Sequence, residues 1–223
     1  MNAAPGGGLL TAESFAKLTN VSRETLDRLC IYVDLLKSWN RRINLVGRNT
    51  MGDVWRRHIF DSAQLYPQIP AASRSLVDLG SGAGLPGLVL SIFGVANCHL
   101  IDSDGRKVAF LREAIRVTGA DATVHLARLD RAKAPPADVV TARALAPLSE
   151  LVEISQRFLK PGGVCLFLKG CHVEEELTEL AKRCQIPVER RPSLSDPLGS
   201  IIRLEAIACD PHRHAPRSAH RNR

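Results

Sequence analysis

The stretch Ser75-Leu76-Val77-Asp78-Leu79-Gly80-Ser81-Gly82-Ala83-Gly84-Leu85-Pro86-Gly87 constrains the fold of this chain more than any other. Ser75 to Leu79 is an apolar run of strand length. It is closed by glycines at 80, 82, 84 and 87 and followed by a second apolar segment, Leu88 to Phe93, with Pro86 near the first position of a helix. The spacing predicts a strand, a tight turn and a helix whose N-terminus faces a ligand. With no Cβ atoms in the way, the backbone of such a turn lets a cofactor come close.

On either side of this stretch the chain changes character. Before it, Ser22 can cap a helix carrying Leu26, Leu29, Val33 and Leu36 at helical spacing, and a second helical segment is expected from about Val54 to Tyr66. After it, strands and helices alternate. Strands are expected at Ser75–Leu79, Asn97–Asp102, Ala122–Leu126, Asp138–Thr141, Val164–Leu168, weakly at Ile186–Glu189, and at Ile201–Ala208. A helix from Asp104 to Thr118 stops at Gly119, and Pro161-Gly162-Gly163 reads as a turn feeding the fifth strand. This alternation predicts an α/β doubly wound, mostly parallel seven-stranded sheet with an N-terminal helical extension. Residues 1–70 are expected to be a helical cap, with 1–8 disordered, 71–209 the cofactor-binding core and 210–223 a basic, disordered tail. In open parallel sheets ligands bind beyond the carboxyl ends of the strands, where the winding order reverses. That rule gathers the glycine turn, Asp102, Arg128 to Asp130, Arg143 and Lys169 around one crevice.

The glycines leave the ligand open. Gly82, Gly84 and Gly87 fit G-x-G-x-x-G, which also marks dinucleotide sites. Asp78, two residues before Gly80, extends the pattern to D-x-G-x-G-x-G, which resembles the first motif of the S-adenosylmethionine-dependent methyltransferases. There the acid lies under the amino-acid end of the cofactor. Asp102 closes the next apolar run, where a ribose-diol acceptor belongs in both cofactor classes. Methyltransferase is the reading these residues favour, and an NAD-binding oxidoreductase is the rival.

Further segments narrow the class. Leu36-Lys37-Ser38-Trp39-Asn40 with Ile43-Asn44-Leu45, Arg57-His58-Ile59-Phe60-Asp61-Ser62, the glycine turn, Leu100-Ile101-Asp102-Ser103, Lys107 to Leu111, Ala142-Arg143-Ala144 and Leu168-Lys169-Gly170 occur in order. Together they resemble the glucose-inhibited division protein B family, guanine-N7 methyltransferases of small-subunit ribosomal RNA with a Rossmann-like class I fold. The resemblance implies S-adenosyl-L-methionine as cofactor, S-adenosyl-L-homocysteine as product and no metal. It implies as substrate a guanine in the decoding-region loop of 16S ribosomal RNA (guanine 527 in the RNA's own numbering), within free RNA, a precursor particle or the small subunit. By position it assigns cofactor contacts to Gly80, Leu85, Leu129, Asp130 and Arg143; Asp78, Gly82 and Asp102 join them through the wider class motif. Asn44, His58, Arg128 and Lys169 are the candidates for positioning the substrate. In one departure, Gly199-Ser200 stands where family members often have an arginine, and Arg203 is the nearest replacement.

The chemistry agrees with that resemblance. Guanine N7 has a lone pair and no proton, so methylation there needs no general base. The Asn/Asp-Pro-Pro-aromatic run of exocyclic-amine methyltransferases is missing after the fourth strand, where Thr141-Ala142-Arg143-Ala144 stands instead, and no cysteine nucleophile occupies that loop. A class I methyltransferase acting on a protein or a small molecule remains the alternative. The net charge of +7 suits a polyanionic partner, although Arg213, Arg217, Arg221 and Arg223 against Asp210 put three of those charges in the tail. Aromatic residues are only 4% of the chain, which argues against broad base-stacking platforms. The six cysteines form no C-x-x-C pair, and those that fall in apolar runs read as buried thiols rather than disulfides or metal ligands; His212, His214 and His220 follow no ligand spacing. With no signal peptide or membrane segment in view, a cytoplasmic monomer without a membrane partner is expected.

Overall fold

The computed structural model describes residues 8–205. Strands β1 (Leu76–Leu79), β2 (Cys98–Asp102), β3 (Ala122–Leu126), β4 (Ala137–Arg143), β5 (Leu159–Lys169), β6 (Val188–Pro192) and β7 (Ser200–Glu205) form one sheet in the order β3-β2-β1-β4-β5-β7-β6. β1 pairs in parallel with β2 and β4, and the parallel set continues through β3 and β5. β7 is antiparallel to both β5 and β6. This is the doubly wound α/β sheet expected from the sequence. The winding reverses between β1 and β4, so the crevice opens at their carboxyl ends.

Strands buried on both faces explain the unbroken apolar runs. On one face Val77, Leu79, Ile101, Val140 and Phe167 pack with Leu148, Leu151 and Val152 of α6 (Leu148–Ser155) and with Val173 and Leu180 of α7 (Val173–Arg183). The opposite face is covered by α4 (Gly87–Ile92) and α5 (Gly105–Thr118). The stop of α5 at Gly119 is the one read from the sequence. Asp104 accepts the Arg106 backbone N–H through its side chain, and Gly119 leaves the helix at a φ of 62°.

The N-terminal helices α1 (Ala12–Thr19) and α2 (Arg23–Asn40) share the apolar cluster of α4 and α5, joined through Phe15, Leu29, Val33, Leu88 and Leu111. Trp55–Phe60 then makes a π-helical turn that runs into the short α3 (Asp61–Ala63).

Several sequence expectations need correction. α1 was not anticipated; Thr11 caps it and Phe15, fully buried, anchors it. Pro161-Gly162-Gly163 is no free turn, for it lies inside β5, where the register against β4 jumps from Ala137↔Leu159 to Val139↔Val164. The pairing of β5 with β4 therefore extends on both sides of the glycines, which form a bulge. Cys30, Cys98, Cys165 and Cys171 are free, but Cys184 is disulfide-bonded. The stretch 1–7, the far end of the last expected strand and the tail with its three histidines lie outside the described residues. Among the described residues no helix is long and apolar enough to cross a membrane, and no group of three or more His, Cys, Asp or Glu is arranged to hold a metal ion.

Candidate active site

Two cavities adjoin at the carboxyl ends of β1 and β4. The larger, of 540 Å3, is bounded by the glycine turn from Gly80 to Leu85, by Ile101 to Ser103 after β2, by Ala127 to Asp130 after β3, and by Arg143 to Leu145 after β4. Leu45 and Val46 close its outer side. The turn must be glycine at 80. Its φ is 63°, and a Cβ there would lie 2.5 Å from the Leu145 side chain. Gly87 answers to close approach instead, because a Cβ would sit 2.5 Å from the Asp78 Cβ. Tyr32 of α2 ties the turn to the helical layer by donating its buried hydroxyl to the Ala83 carbonyl at 2.6 Å.

Asp102 organises the floor. One carboxylate oxygen accepts the Gly82 N–H at 2.8 Å and the other the Asp104 N–H at 2.8 Å. Asp78, by contrast, does not reach the cavity. It is fully buried beneath the turn, with one oxygen accepting the Thr141 hydroxyl at 2.7 Å and Oδ2 without a partner. Burial pushes its carboxyl up to about 6. Leu85, Leu129, Asp130 and Arg128 all line the cavity; Arg128 and Asp130 are exposed and lie 3.4 Å apart as an ion pair.

The second cavity, of 300 Å3, lies between the π-helical turn, the 47–50 loop, Leu168 to Gly170 and the 195–200 segment. Arg143 and Ala144 line both cavities. Ala144 has a φ of 47°, a conformation that costs a non-glycine residue on the order of 1–2 kcal/mol and that recurs at functional sites.

Arg143 is held from three sides. It donates to Asp61 Oδ2 at 3.2 Å, to the Arg57 carbonyl at 3.2 Å and to His58 Nδ1 at 2.8 Å. The i, i+3 spacing of His58 and Asp61 thus does not pair them with each other; both grip the arginine arriving from β4. Since Nδ1 accepts from a guanidinium, the proton of His58 belongs on Nε2, which lies 2.8 Å from Thr50 Oγ1. That hydroxyl in turn donates to the Gly47 carbonyl at 2.7 Å. Burial, reinforced by Arg143 and Arg57, pushes the imidazole down to about 3. Burial also lifts the Asp61 carboxyl, against the pull of Arg143. Ser195 donates to its other oxygen at 2.6 Å.

A neutral buried histidine carries a pH signature. The unfolded chain takes up a proton near pH 6.5 and the folded chain does not until about 3. Stability from His58 is therefore complete above pH 6.5 and falls by up to about 1.4 kcal/mol per unit below it. Asp61 and Asp78, both raised, act in the opposite direction over part of that window, so the contribution is read as a difference. Relative to His58→Gln, the native chain should lose about 2 kcal/mol between pH 6.5 and 5 in urea unfolding. Parallel curves for the two proteins would contradict a neutral His58.

Lys169 lines the second cavity with its ammonium already engaged. It lies 2.6 Å from Glu176 and donates to the Ala146 carbonyl at 2.8 Å, while Glu176 accepts the Leu148 N–H at 2.7 Å. The pair clamps the segment after β4 that walls both cavities. Asn44 is exposed and lines a shallow recess beside Leu45 to Arg48. The backbone of this loop is held by Asn40, whose side chain accepts the Leu45 and Val46 N–H groups at 2.8 and 3.0 Å. Arg203 does not replace the missing family arginine, because it bonds the Gln68 carbonyl and Glu205, away from both cavities. At the second cavity a cation is supplied by Arg57, paired with Asp196 at 2.7 Å. Sequence reasoning passed over Tyr32, although it completes the helical stripe, and Asn40, although it stands inside a quoted motif.

The family model for rRNA small subunit methyltransferase G matches residues 25–196. The ribosomal RNA small subunit methyltransferase G of Rhodospirillum centenum is 58% identical over 197 residues, covering 88% of this chain and 91% of its own. The protein of the same name from Rhodospirillum rubrum is 51% identical, covering 89% and 98%. Among solved structures, a ribosomal protein L11 methylase from Lactobacillus delbrueckii subsp. bulgaricus superposes with a TM-score of 0.51 at 17% identity, over 65% of this chain and 74% of that one, a likeness of fold alone.

Proposed function

The chain belongs to the rRNA small subunit methyltransferase G family, and from that premise we propose that it methylates N7 of a guanine in 16S ribosomal RNA with S-adenosylmethionine as donor. The observation that carries this reading is the pair of adjoining cavities sharing Arg143 and Ala144. One cavity suits a nucleoside cofactor and the other is a separate, polar space for the base.

The residues fit such a cofactor. The turn at Gly80 admits it to the backbone, Asp102 keeps carboxylate lone pairs toward the cavity where a ribose diol can donate, and Leu85, Leu129 and Asp130 flank the remaining volume. Asp78 acts through the turn it supports, with one unpartnered oxygen. S-adenosylmethionine supplies an electrophilic methyl group on sulfur. The protein's own task is to align guanine N7 with it, and alignment is worth about 7–11 kcal/mol of barrier. The arrangement around His58 suits a reaction that removes no proton, since both ring nitrogens are occupied and the imidazole is a weak base. Arg143 stands at the junction, positioned to orient both partners. A ribosomal substrate makes the cytoplasm the place of work.

The test is transfer of a radiolabelled methyl group to small subunits or 16S RNA from cells lacking the gene, alongside calorimetric binding of S-adenosylhomocysteine and NAD. Ribonuclease-sensitive label and binding of S-adenosylhomocysteine alone are expected. Label entering a protein, or preference for NAD, would remove the proposal.

A further inference from the structure

Beside the two cavities lies a set of cations that no acid neutralises. Arg41, Arg42 and Arg48 are exposed, and among the described residues their guanidinium groups have no hydrogen-bond or ion-pair partner. Elsewhere Arg57, Arg106, Arg116, Arg143 and Arg203 each meet a carboxylate, and the other exposed arginines whose guanidinium groups have no hydrogen-bond or ion-pair partner among the described residues, Arg23, Arg74, Arg112 and Arg183, are scattered singly along the chain. The acids nearest in sequence are already engaged, Asp34 with Lys37 and Asp53 with Arg56. Lys37, Arg41 and Arg48 border an outer depression of 560 Å3.

The three arginines belong to a segment, 41–48, whose middle residues line the site. Leu45 and Val46 wall the cofactor cavity, Gly47 and Thr50 wall the second, and Asn40 fixes the loop between them. The positive charges are therefore carried by the same anchored segment that walls the site. A merely solvated face has no need of such anchoring, and like charges this close in sequence repel without a shared counterion.

We propose that Arg41, Arg42 and Arg48 bind backbone phosphates of the RNA beside the target nucleotide, so that the loop closing both cavities also seats the substrate strand. This rests on the ribosomal RNA reading above. Phosphate contacts of this kind fix register and orientation without reading sequence.

The experiment compares the full chain, the triple variant R41Q/R42Q/R48Q and a control, K17Q/R74Q/R183Q, that removes equal charge from other exposed positions. Binding to end-labelled 16S RNA transcript is measured over a range of potassium chloride, and binding of S-adenosylhomocysteine by calorimetry. The triple variant should bind RNA about 10- to 100-fold more weakly near 0.1 M salt, with a log–log salt slope flatter by roughly 2, at about 0.7–0.9 per lost phosphate contact. Its S-adenosylhomocysteine affinity and the control's RNA affinity should match the unaltered chain. An unchanged slope in the triple variant, or an equal loss in the control, overturns the proposal while leaving the methyltransferase reading intact. If the unaltered chain binds neither the transcript nor small subunits from cells lacking the gene, both fall together.

Discussion

Replacing Arg143 with methionine is expected to lower the free energy of unfolding at pH 8 by about 3–5 kcal/mol. The guanidinium is the shared partner of Asp61 and His58, and its loss leaves the Asp61 carboxylate in a site that already lifts its pKa through burial. Against a total stability of about 5–15 kcal/mol for a domain, that is a large fraction. The sign with pH follows. With the arginine gone, Asp61 titrates still further above its unfolded value, so the variant is least impaired at acid pH and loses stability as pH rises through the folded pKa. Urea unfolding of Arg143→Met at pH 5 and pH 8 measures both the size and the sign. Adding Asp61→Asn removes the uncompensated charge and should recover much of the loss. If the single variant were as stable as the native chain at pH 8, Arg143 would not be the keystone between the cavities.

Asp102→Ala should raise the dissociation constant of S-adenosylhomocysteine by roughly two orders of magnitude, about 3 kcal/mol, with a much smaller effect on stability. Hydrogen bonds to a carboxylate contribute about 1.5–3 kcal/mol each, and this one carboxylate serves two functions. It accepts the Gly82 and Asp104 N–H groups that set the shape of the turn, and on the proposed reading it accepts from the ribose diol. The freed Gly82 N–H belongs to a residue lining a cavity that water can enter, which limits the cost to folding. Calorimetry separates the two effects: lost affinity in a protein that still unfolds cooperatively at a near-native urea midpoint. Unchanged affinity would place the ribose elsewhere.

The parts of the fold that were legible are those written in local pattern. Leu76 to Leu79 reads as a buried strand because both its faces are covered, and α5 carries its start at Asp104 and its stop at Gly119 in the sequence itself. Helix α1 escaped because it is short, 8 residues with Phe15 as its buried anchor, too little for a periodic stripe to register. Pro161-Gly162-Gly163 misled because glycine-rich segments resemble turns, whereas here pairing with β4 decides the conformation.

The glycine turn and Asp102 were found because cofactor cradles are local. The second cavity was not, since its geometry depends on residues far apart in the chain: His58 meets Arg143 across 85 positions and Asp61 meets Ser195 across 134. Spacing along the helical segment carries no sign of the arginine that joins His58 to Asp61. Asp78 is fully buried beneath the glycine turn, because Gly87 packs directly over its side chain, a close approach that spacing alone does not reveal.

On the proposed reading, the two adjoining cavities deliver a methyl group to a ring nitrogen that is already nucleophilic. The place where the methyl group lands decides it. Small subunits from cells lacking the gene, treated with the purified protein and S-adenosylmethionine, should gain one methyl group on N7 of a guanine, seen as a single strand break after borohydride reduction and aniline treatment. A methyl group on an exocyclic amine, on a ribose or on a ribosomal protein would contradict the account.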